Sequence, residues 1–403
     1  MILYCFLLLV RAMISLKGLF IVGSVLKIGF MHMKGVNVNR FGIFDWPLLV
    51  IVSLLVVIGM IMIFSTTSMI GLSQFGNAYY FFMKQSIFIF IGVIMLILGS
   101  KINHFLYQKY AFHLFFFGVA LSVLPFIPFL GVHAGGATRW IQVMGVQFQP
   151  VEIVKFCITV FLATALVYKQ DKMGQFMKGV FPLLCMISIP LLLLILQPDL
   201  GNTVLTVGVV FALFFIGNIN LSHMASLVLS GGIVVAVSIL KNPYQLTRIF
   251  SFLDPWADPL GKSYHIAQSF IAIGSGGLFG HGFGQSKLKF FYLPLHYSDF
   301  IFSIICEEGG LFFALVVLGL FAALLYRGLF ISLRKKTQSL FSYYLGVGLT
   351  LFLVGQALIN IGVVVGVFPV TGIPLPFISY GGSSFVMSLF FVGVLHNISK
   401  QEP

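Results

Sequence analysis

The chain has 403 residues, of which 59% are hydrophobic and only 8% charged, whereas a soluble globular domain carries roughly 25% charged residues. Its 23 Lys and Arg against 10 Asp and Glu give a net charge of +13. That excess follows the loops between apolar runs rather than gathering on one face, which excludes nucleic acid as the partner. Cys5, Cys157, Cys185 and Cys306 stand singly in apolar segments, so neither a disulfide framework nor a metal cluster is indicated.

In chain order, residues 1–41 form an N-terminal extension. Its first thirty or so residues are apolar but interrupted by Arg11, Lys17 and Lys27, with no small-residue cleavage site. An interfacial helix, an extra helix and a later start at Met31 or Met33 all remain open here. Residues 42–398 read as one membrane domain and 399–403 as a short tail. The fold class expected is all-α: a polytopic bundle of ten transmembrane helices with one long extracytoplasmic loop between helices seven and eight. The spans fall at about 46–66, 80–99, 111–130, 151–168, 180–196, 201–217, 223–240, 300–326, 341–365 and 380–397. With these spans, 15 of the 23 basic residues lie on one side, including Arg40, Lys101, Lys169, Arg327, Arg334 and Lys400. That side is then cytoplasmic, together with both termini. Seven of the ten acidic residues fall on or near the other face, so the chemistry is expected there.

Four stretches carry it. Gly135-Gly-Ala-Thr-Arg139-Trp140 precedes Gln149-Pro150, a proline suited to a first helical turn. Glu152 and Lys155 then share a helix face, either as a structural ion pair or as part of a polar cavity that takes an anionic head group through Arg139. Asp199, after Gln197-Pro198, suits an N-cap. The loop of nearly sixty residues that follows span seven is the only long one, and loops of that length are often functional. It carries Arg248, a glycine cluster between Gly274 and Gly284, and then Lys287 and Lys289. The cluster has neither a preceding strand nor a following Gly-Lys-Ser/Thr, so it is not a nucleotide site. The three cations either meet a phosphate or are solvated loop charges. Last, three prolines and paired glycines between Phe368 and Ser384 place irregular backbone at the membrane edge, where ligand groups can reach it.

Asp299 stands at the mouth of span eight, with Glu307 and Glu308 two turns further in. A carboxylate beside hydrocarbon is functional by default, although Asp299 also suits an N-cap. Lys155, Arg139 or backbone donors are the expected partners of the buried glutamates. No clear internal repeat links the Pro/Gly-interrupted segments, which weakens a transporter reading.

These residues make the chain resemble the SEDS family (shape, elongation, division and sporulation), represented by FtsW and RodA. The resemblance runs from about residue 42 to 398. It rests on Pro374-Leu-Pro-Phe-Ile-Ser-Tyr-Gly-Gly-Ser-Ser384, on Asp299-Phe-Ile-Phe302 with Glu307-Glu308, and on Arg139-Trp140 with Gln149-Pro150. Phe252-Leu-Asp-Pro-Trp-Ala-Asp-Pro259 looks closer to FtsW. The resemblance implies a peptidoglycan glycosyltransferase of cell division that polymerises lipid II at the outer face of the cytoplasmic membrane, at the septum. A class B penicillin-binding protein and other divisome membrane proteins are its implied partners. The family's essential aspartate matches Asp299, the implied general base. Arg139, Glu152, Lys155, Arg248, Lys289, Glu307, Ser379, Gly381 and Gly382 are the expected substrate-binding positions. No cofactor is certain; a divalent cation could assist the pyrophosphate, but no cluster has metal-ligand spacing. The chain departs from the family pattern at Leu295, where a glutamate is usual, at Tyr297, where a histidine is usual, and at Val151, where serine is common. A lipid-linked precursor flippase and a scaffold that recruits a transpeptidase are the competing readings. Only the polymerase needs a base at Asp299.

Overall fold

The computed structural model describes residues 45–400 except 135–136, 144–145, 242, 260, 262 and 287–297. The expectations for residues 1–41, for Lys287 and Lys289 and for Leu295 and Tyr297 lie outside the described residues. The helices are α1 (Trp46–Phe75), α2 (Tyr80–Lys101), α3 (His104–Lys109), α4 (Ala111–Val123), α5 (Val151–Tyr168), α6 (Phe181–Leu196) and α7 (Leu200–Ile216). They continue with α8 (Leu221–Lys241), α9 (Pro243–Leu253), α10 (Tyr264–Ser275), α11 (Ile301–Lys335), α12 (Leu340–Val364) and α13 (Gly382–Lys400). A helix stands at each of the ten expected spans, and α13 runs into the segment read as a tail. Among the described residues, seven helical stretches are long and apolar enough to cross a membrane: α1, α2, α5, 176–196, α11, α12 and α13.

Between the expected third and fourth spans the chain forms a three-stranded antiparallel meander of β1 (Gly131–Ala134), β2 (Ala137–Val143) and β3 (Val146–Phe148), the small strand content of an otherwise helical fold. Alternation over β2 puts Ala137, Arg139 and Ile141 on one face, and Ala137 and Ile141 are buried. Seven residues of alternation between two spans is a weak signal beside the hydropathy of the helices.

Long apolar helices have no hydrophobic drive to associate within lipid, so close packing must supply it. The α2–α13 pair shows how. A Cβ on Gly393 would lie 2.2 Å from the carbonyl oxygen of Leu96, and one on Gly99 would lie 2.8 Å from that of Phe390. Small residues thereby let the two backbones touch. At the expected cytoplasmic end, Asp45 caps α1 by accepting from Leu48 N at 3.2 Å. Its carboxylate also takes both Nε and NH2 of Arg327, each at 3.0 Å. Nearby elements meet through His104, whose ring nitrogens lie 2.8 Å from Asn397 Oδ1 and 2.7 Å from Ser342 Oγ.

The eighth span is broken. Gly310 has φ 68° and ψ −170° inside α11, which separates a short first half, 301–309, from the long second half, 311–335. Helix ends leave unpaired carbonyls and N–H groups, and the glycine cluster of the long loop satisfies them. His281 N and Gly282 N donate to the carbonyls of Glu307 and Glu308 at 3.0 and 2.9 Å, while Leu311 N and Phe312 N donate to Gly277 and Leu278 at 3.0 and 3.1 Å. The approach is backbone on backbone, since a Cβ on Gly310 would sit 2.4 Å from Gly280 N.

Gly310→Ala should therefore combine a left-handed backbone with a steric conflict. The backbone strain alone costs about 1–3 kcal/mol, and a lowered thermal midpoint of the purified protein in detergent is the expected result.

Candidate active site

The site is assembled where β2, the start of α7, the residues before α11 and the irregular segment 368–381 converge. Asp299 does not cap α11. The residue at the cap position is Phe300, with no side-chain capping bond, so the carboxylate of Asp299 is left for other work. The residue as a whole keeps partial solvent access, while its carboxyl group is buried. Burial holds its carboxyl above the ordinary carboxylate range, opposed by a hydrogen bond with the Ser298 side chain and by the charges of Arg248 and Arg139.

The two arginines come from distant elements. Arg139 NH1, on the inner face of β2, lies 3.6 Å from Asp199 Oδ1 and donates to the Thr371 carbonyl at 3.5 Å. Arg248 NH1, on α9, donates to the Val370 carbonyl at 2.9 Å. Gly372 follows directly, with φ 73°, a conformation that glycine adopts without strain. A Cβ there would lie 3.5 Å from Arg139 NH1 and 3.6 Å from Asp299 Oδ2. One backbone position therefore borders both the carboxylate and the guanidinium. The ring of His265, on α10, stacks on Phe300 at 5.8 Å between centroids. Burial lowers its pKa, and Arg248 lowers it further.

Asp199 does cap α7, accepting from Asn202 N at 3.4 Å, but capping is only part of its role. It also accepts from Asn202 Nδ2 at 2.9 Å and Gln149 Nε2 at 3.4 Å, besides its ion pair with Arg139. Below this layer, the expected pair forms: Lys155 Nζ meets Glu152 Oε1 at 3.0 Å with both residues buried. Lys155 also donates to Gln356 Oε1 at 2.9 Å, and Gln356 Nε2 donates onward to the Pro374 carbonyl at 3.1 Å and Ser384 Oγ at 2.9 Å. The pair thus anchors the segment that borders Asp299.

Other expected site residues are placed differently. Glu307 and Glu308 are buried, and of the expected kinds of partner a backbone donor is met: Ser286 N donates to Glu308 Oε1 at 3.4 Å. Ser286 Oγ donates to Glu307 Oε2, and Ser65 Oγ reaches both oxygens of Glu308 at 2.7 and 2.8 Å. The reason is the break in α11, which turns this short half-helix toward α1 and the glycine loop. The Ser379 hydroxyl donates to the Ser298 carbonyl at 2.5 Å and accepts from Leu375 N at 2.8 Å, which makes it an anchor of backbone. Gly382 is packed, since a Cβ there would meet the Phe88 ring at 2.6 Å, whereas Gly381 has only the Pro374 ring near, at 3.9 Å or beyond. Lys289 lies outside the described residues.

Two site residues were missed by sequence reasoning, Gln356 and Asn360. Both are amides, the only two in α12, four apart and so on one face, and that spacing was the available signal. Among the described residues, no three His, Cys, Asp or Glu side chains gather to hold a metal ion.

Removing one partner of a buried ion pair strands a charge, at about 3–5 kcal/mol. Lys155→Met should lower the thermal midpoint strongly, and Lys155→Met combined with Glu152→Gln should recover part of the loss in the same measurement.

Residues 45–403 match the family described as FTSW_RODA_SPOVE, cell cycle protein. The chain is 39% identical over 356 residues to stage V sporulation protein E of Bacillus subtilis, covering 88% of this chain and 97% of that protein. It is 37% identical over 358 residues to the probable peptidoglycan glycosyltransferase FtsW of Coxiella burnetii, covering 88% and 96%. Among solved structures, a chain of a peptidoglycan synthase complex that coordinates polymerization and crosslinking superposes with a TM-score of 0.72 at 26% identity, covering 89% of this chain and 98% of that one. The rod shape determining protein RodA of Thermus thermophilus superposes with a TM-score of 0.65 at 25% identity, covering 90% and 98%. Matched over residues 45–403, and with relatives at 37–39% identity along nearly their whole length, the chain belongs to the FtsW, RodA and SpoVE family of cell cycle proteins.

Proposed function

We propose that this chain is a peptidoglycan glycosyltransferase that polymerises lipid II at the outer face of the cytoplasmic membrane, with Asp299 as general base. The observation that carries the proposal is Asp299 itself: a carboxylate released from capping, raised in pKa by burial, and flanked by Arg139 and Arg248. Family membership and the names of its relatives support the reaction class.

In the proposed reaction, the hydroxyl of an acceptor sugar loses its proton to the Asp299 carboxylate. Its oxygen forms the new bond to the anomeric carbon of a second lipid II. The electron pair of the breaking bond leaves with undecaprenyl pyrophosphate, and the direct displacement inverts the anomeric centre. Arg139 and Arg248 are the cations placed to stabilise charge growing on the leaving group. Each already holds a backbone carbonyl of the 370–371 segment, so their positions are set before substrate arrives. A divalent cation accompanying the pyrophosphate would add to the same stabilisation. The protein supplies the orientation and the proton acceptor.

We place the helices at the ten expected spans (α1, α2, α4 to α8 and α11 to α13) across the membrane with both termini in the cytoplasm, following the distribution of Lys and Arg. Similarity to a chain of a synthase complex that couples polymerization to crosslinking supports a crosslinking partner, of the class B penicillin-binding type that the sequence resemblance implies. Residence at the division septum with other divisome proteins follows from the likeness to FtsW.

The test is glycan synthesis from labelled lipid II by the purified protein with its transpeptidase partner. Asp299→Asn should lower the rate about 10²–10⁴-fold, the range of general-base catalysis. Wild-type rates from that variant would sink the assignment, and lipid scrambling in vesicles without polymer would favour the flippase. The pH profile is a second test. A base must be deprotonated, and burial raises the Asp299 pKa. The rate should therefore fall on acidification at a pH above the ordinary carboxylate range, and Asp299→Asn should abolish that limb.

A further inference from the structure

Asn360 is buried at 1% exposure on α12, directly beneath the residues that precede α11. Its Nδ2 donates two hydrogen bonds, to the Asp299 carbonyl at 2.8 Å and to the Ile373 carbonyl at 2.7 Å. Both protons of the amide are thereby used on backbone, one from each of the two segments that border the site. The amide oxygen, Oδ1, is buried with no hydrogen-bond partner.

That orphan oxygen is informative. A buried acceptor without a donor has an energetic cost of about 1–3 kcal/mol, and such a group in a native structure calls for an explanation. Turning the amide over would not help, because Oδ1 would then oppose two carbonyl oxygens. The orientation is set by the two carbonyls, and the unmet acceptor is what that clamp costs.

The neighbouring carbonyl is held in the same manner. Ser379 Oγ donates to Ser298 O at 2.5 Å, so consecutive carbonyls, 298 and 299, are each fixed by a buried side chain from a different element. Leu375 N closes the arrangement by donating to Ser379 Oγ at 2.8 Å. The backbone that carries Asp299 is thus registered against 373–375, and the Gly372 backbone lies between Asp299 and Arg139.

We infer that Asn360 is a positioning residue for Asp299: its amide joins the Asp299 and Ile373 carbonyls and so sets the carboxylate at a fixed place relative to Arg139 and Gly372. The inference rests on the reading of Asp299 as the base. Asn360 touches neither substrate nor the reacting atoms; it acts through the main chain. Loss of its donor frees the Asp299 backbone, and a displacement of about 1 Å at a reacting group lowers a rate about 10²-fold.

The experiment compares Asn360→Leu, Asn360→Asp, Asn360→His and Asp299→Asn in the full chain with its transpeptidase partner, using labelled lipid II. It reads kcat and KM separately, the pH profile, and the thermal midpoint. Asn360→Leu and Asn360→Asp should lose about 10–100-fold in kcat with KM changed by less than about threefold. The acid limb of the pH profile should also move, since the groups that face the Asp299 carboxyl would be rearranged. Asn360→His keeps one N–H donor and should recover part of kcat, which a purely structural role does not predict. If Asn360→Leu fails to fold, Asn360→His and Ser379→Ala carry the kcat and pH readouts. Unchanged kcat in Asn360→Leu beside an inactive Asp299→Asn would overturn the positioning role while leaving the base in place. A fully active Asp299→Asn would overturn both. A rate loss confined to KM would also overturn the positioning role.

Discussion

Backbone that leaves a helix at membrane depth must find hydrogen-bond partners in the protein, because hydrocarbon offers none. The segment 368–381 is the place where this constraint is most severe, since three prolines prevent it from forming regular structure. Its carbonyls are met one after another: Val370 by Arg248, Thr371 by Arg139, Ile373 by Asn360 and Pro374 by Gln356. The side chains that solve a problem of backbone solvation are therefore the ones that line the site. Two of them are cations, so the same solution concentrates positive charge beside Asp299. The buried Glu152 and Lys155 belong to this arrangement at one remove, through the Lys155 bond to Gln356.

A second break follows the same rule at a different place. The chain interruption at Gly310 exposes carbonyls and N–H groups inside the bundle, and the glycine-rich stretch of the long loop is pressed against them. Glycine is needed there because two backbones meet without room for side chains. The break has a consequence for charge. It separates the half-helix with Glu307 and Glu308 from the long half, and turns both carboxylates toward hydroxyl donors on α1 and the loop. Those carboxylates thereby stabilise the junction, while Asp299, one short half-helix away, stays at the site.

The electrostatics around Asp299 are a balance rather than a simple pairing. Burial penalises the carboxylate, whereas Arg139, Arg248 and a Ser298 hydrogen bond favour it. Arg139 divides its attention between Asp199 and the Thr371 carbonyl, while burial keeps the Asp299 carboxyl raised in pKa. Asp199 holds the guanidinium in place by the opposite means, being fully buried and bonded to Asn202 and Gln149 as well. Two aspartates beside one arginine thus come to serve different ends because their surroundings differ.

Hydropathy determined where the long membrane helices would form, because apolar runs of spanning length have few other stable structures in lipid, whereas the short helices α3, α9 and α10 lay outside those runs. The spacing of Glu152 and Lys155 determined their pairing, since three residues of helix bring side chains together without help from the rest of the fold. Asp299 could be singled out as a costly carboxylate for the same local reason, but its sequence position equally suited an N-cap. The tertiary structure decided that question by placing Phe300 at the cap. It also decided that Arg139 rides on a strand, that Glu307 and Glu308 find serines 21 and 243 positions away, and that Asn360 reaches under Asp299. Those partnerships join side chains to backbone carbonyls across large separations in the chain. Local periodicity carries no record of them, because what selects them is the requirement that irregular backbone, wherever folding brings it, be satisfied within the bundle.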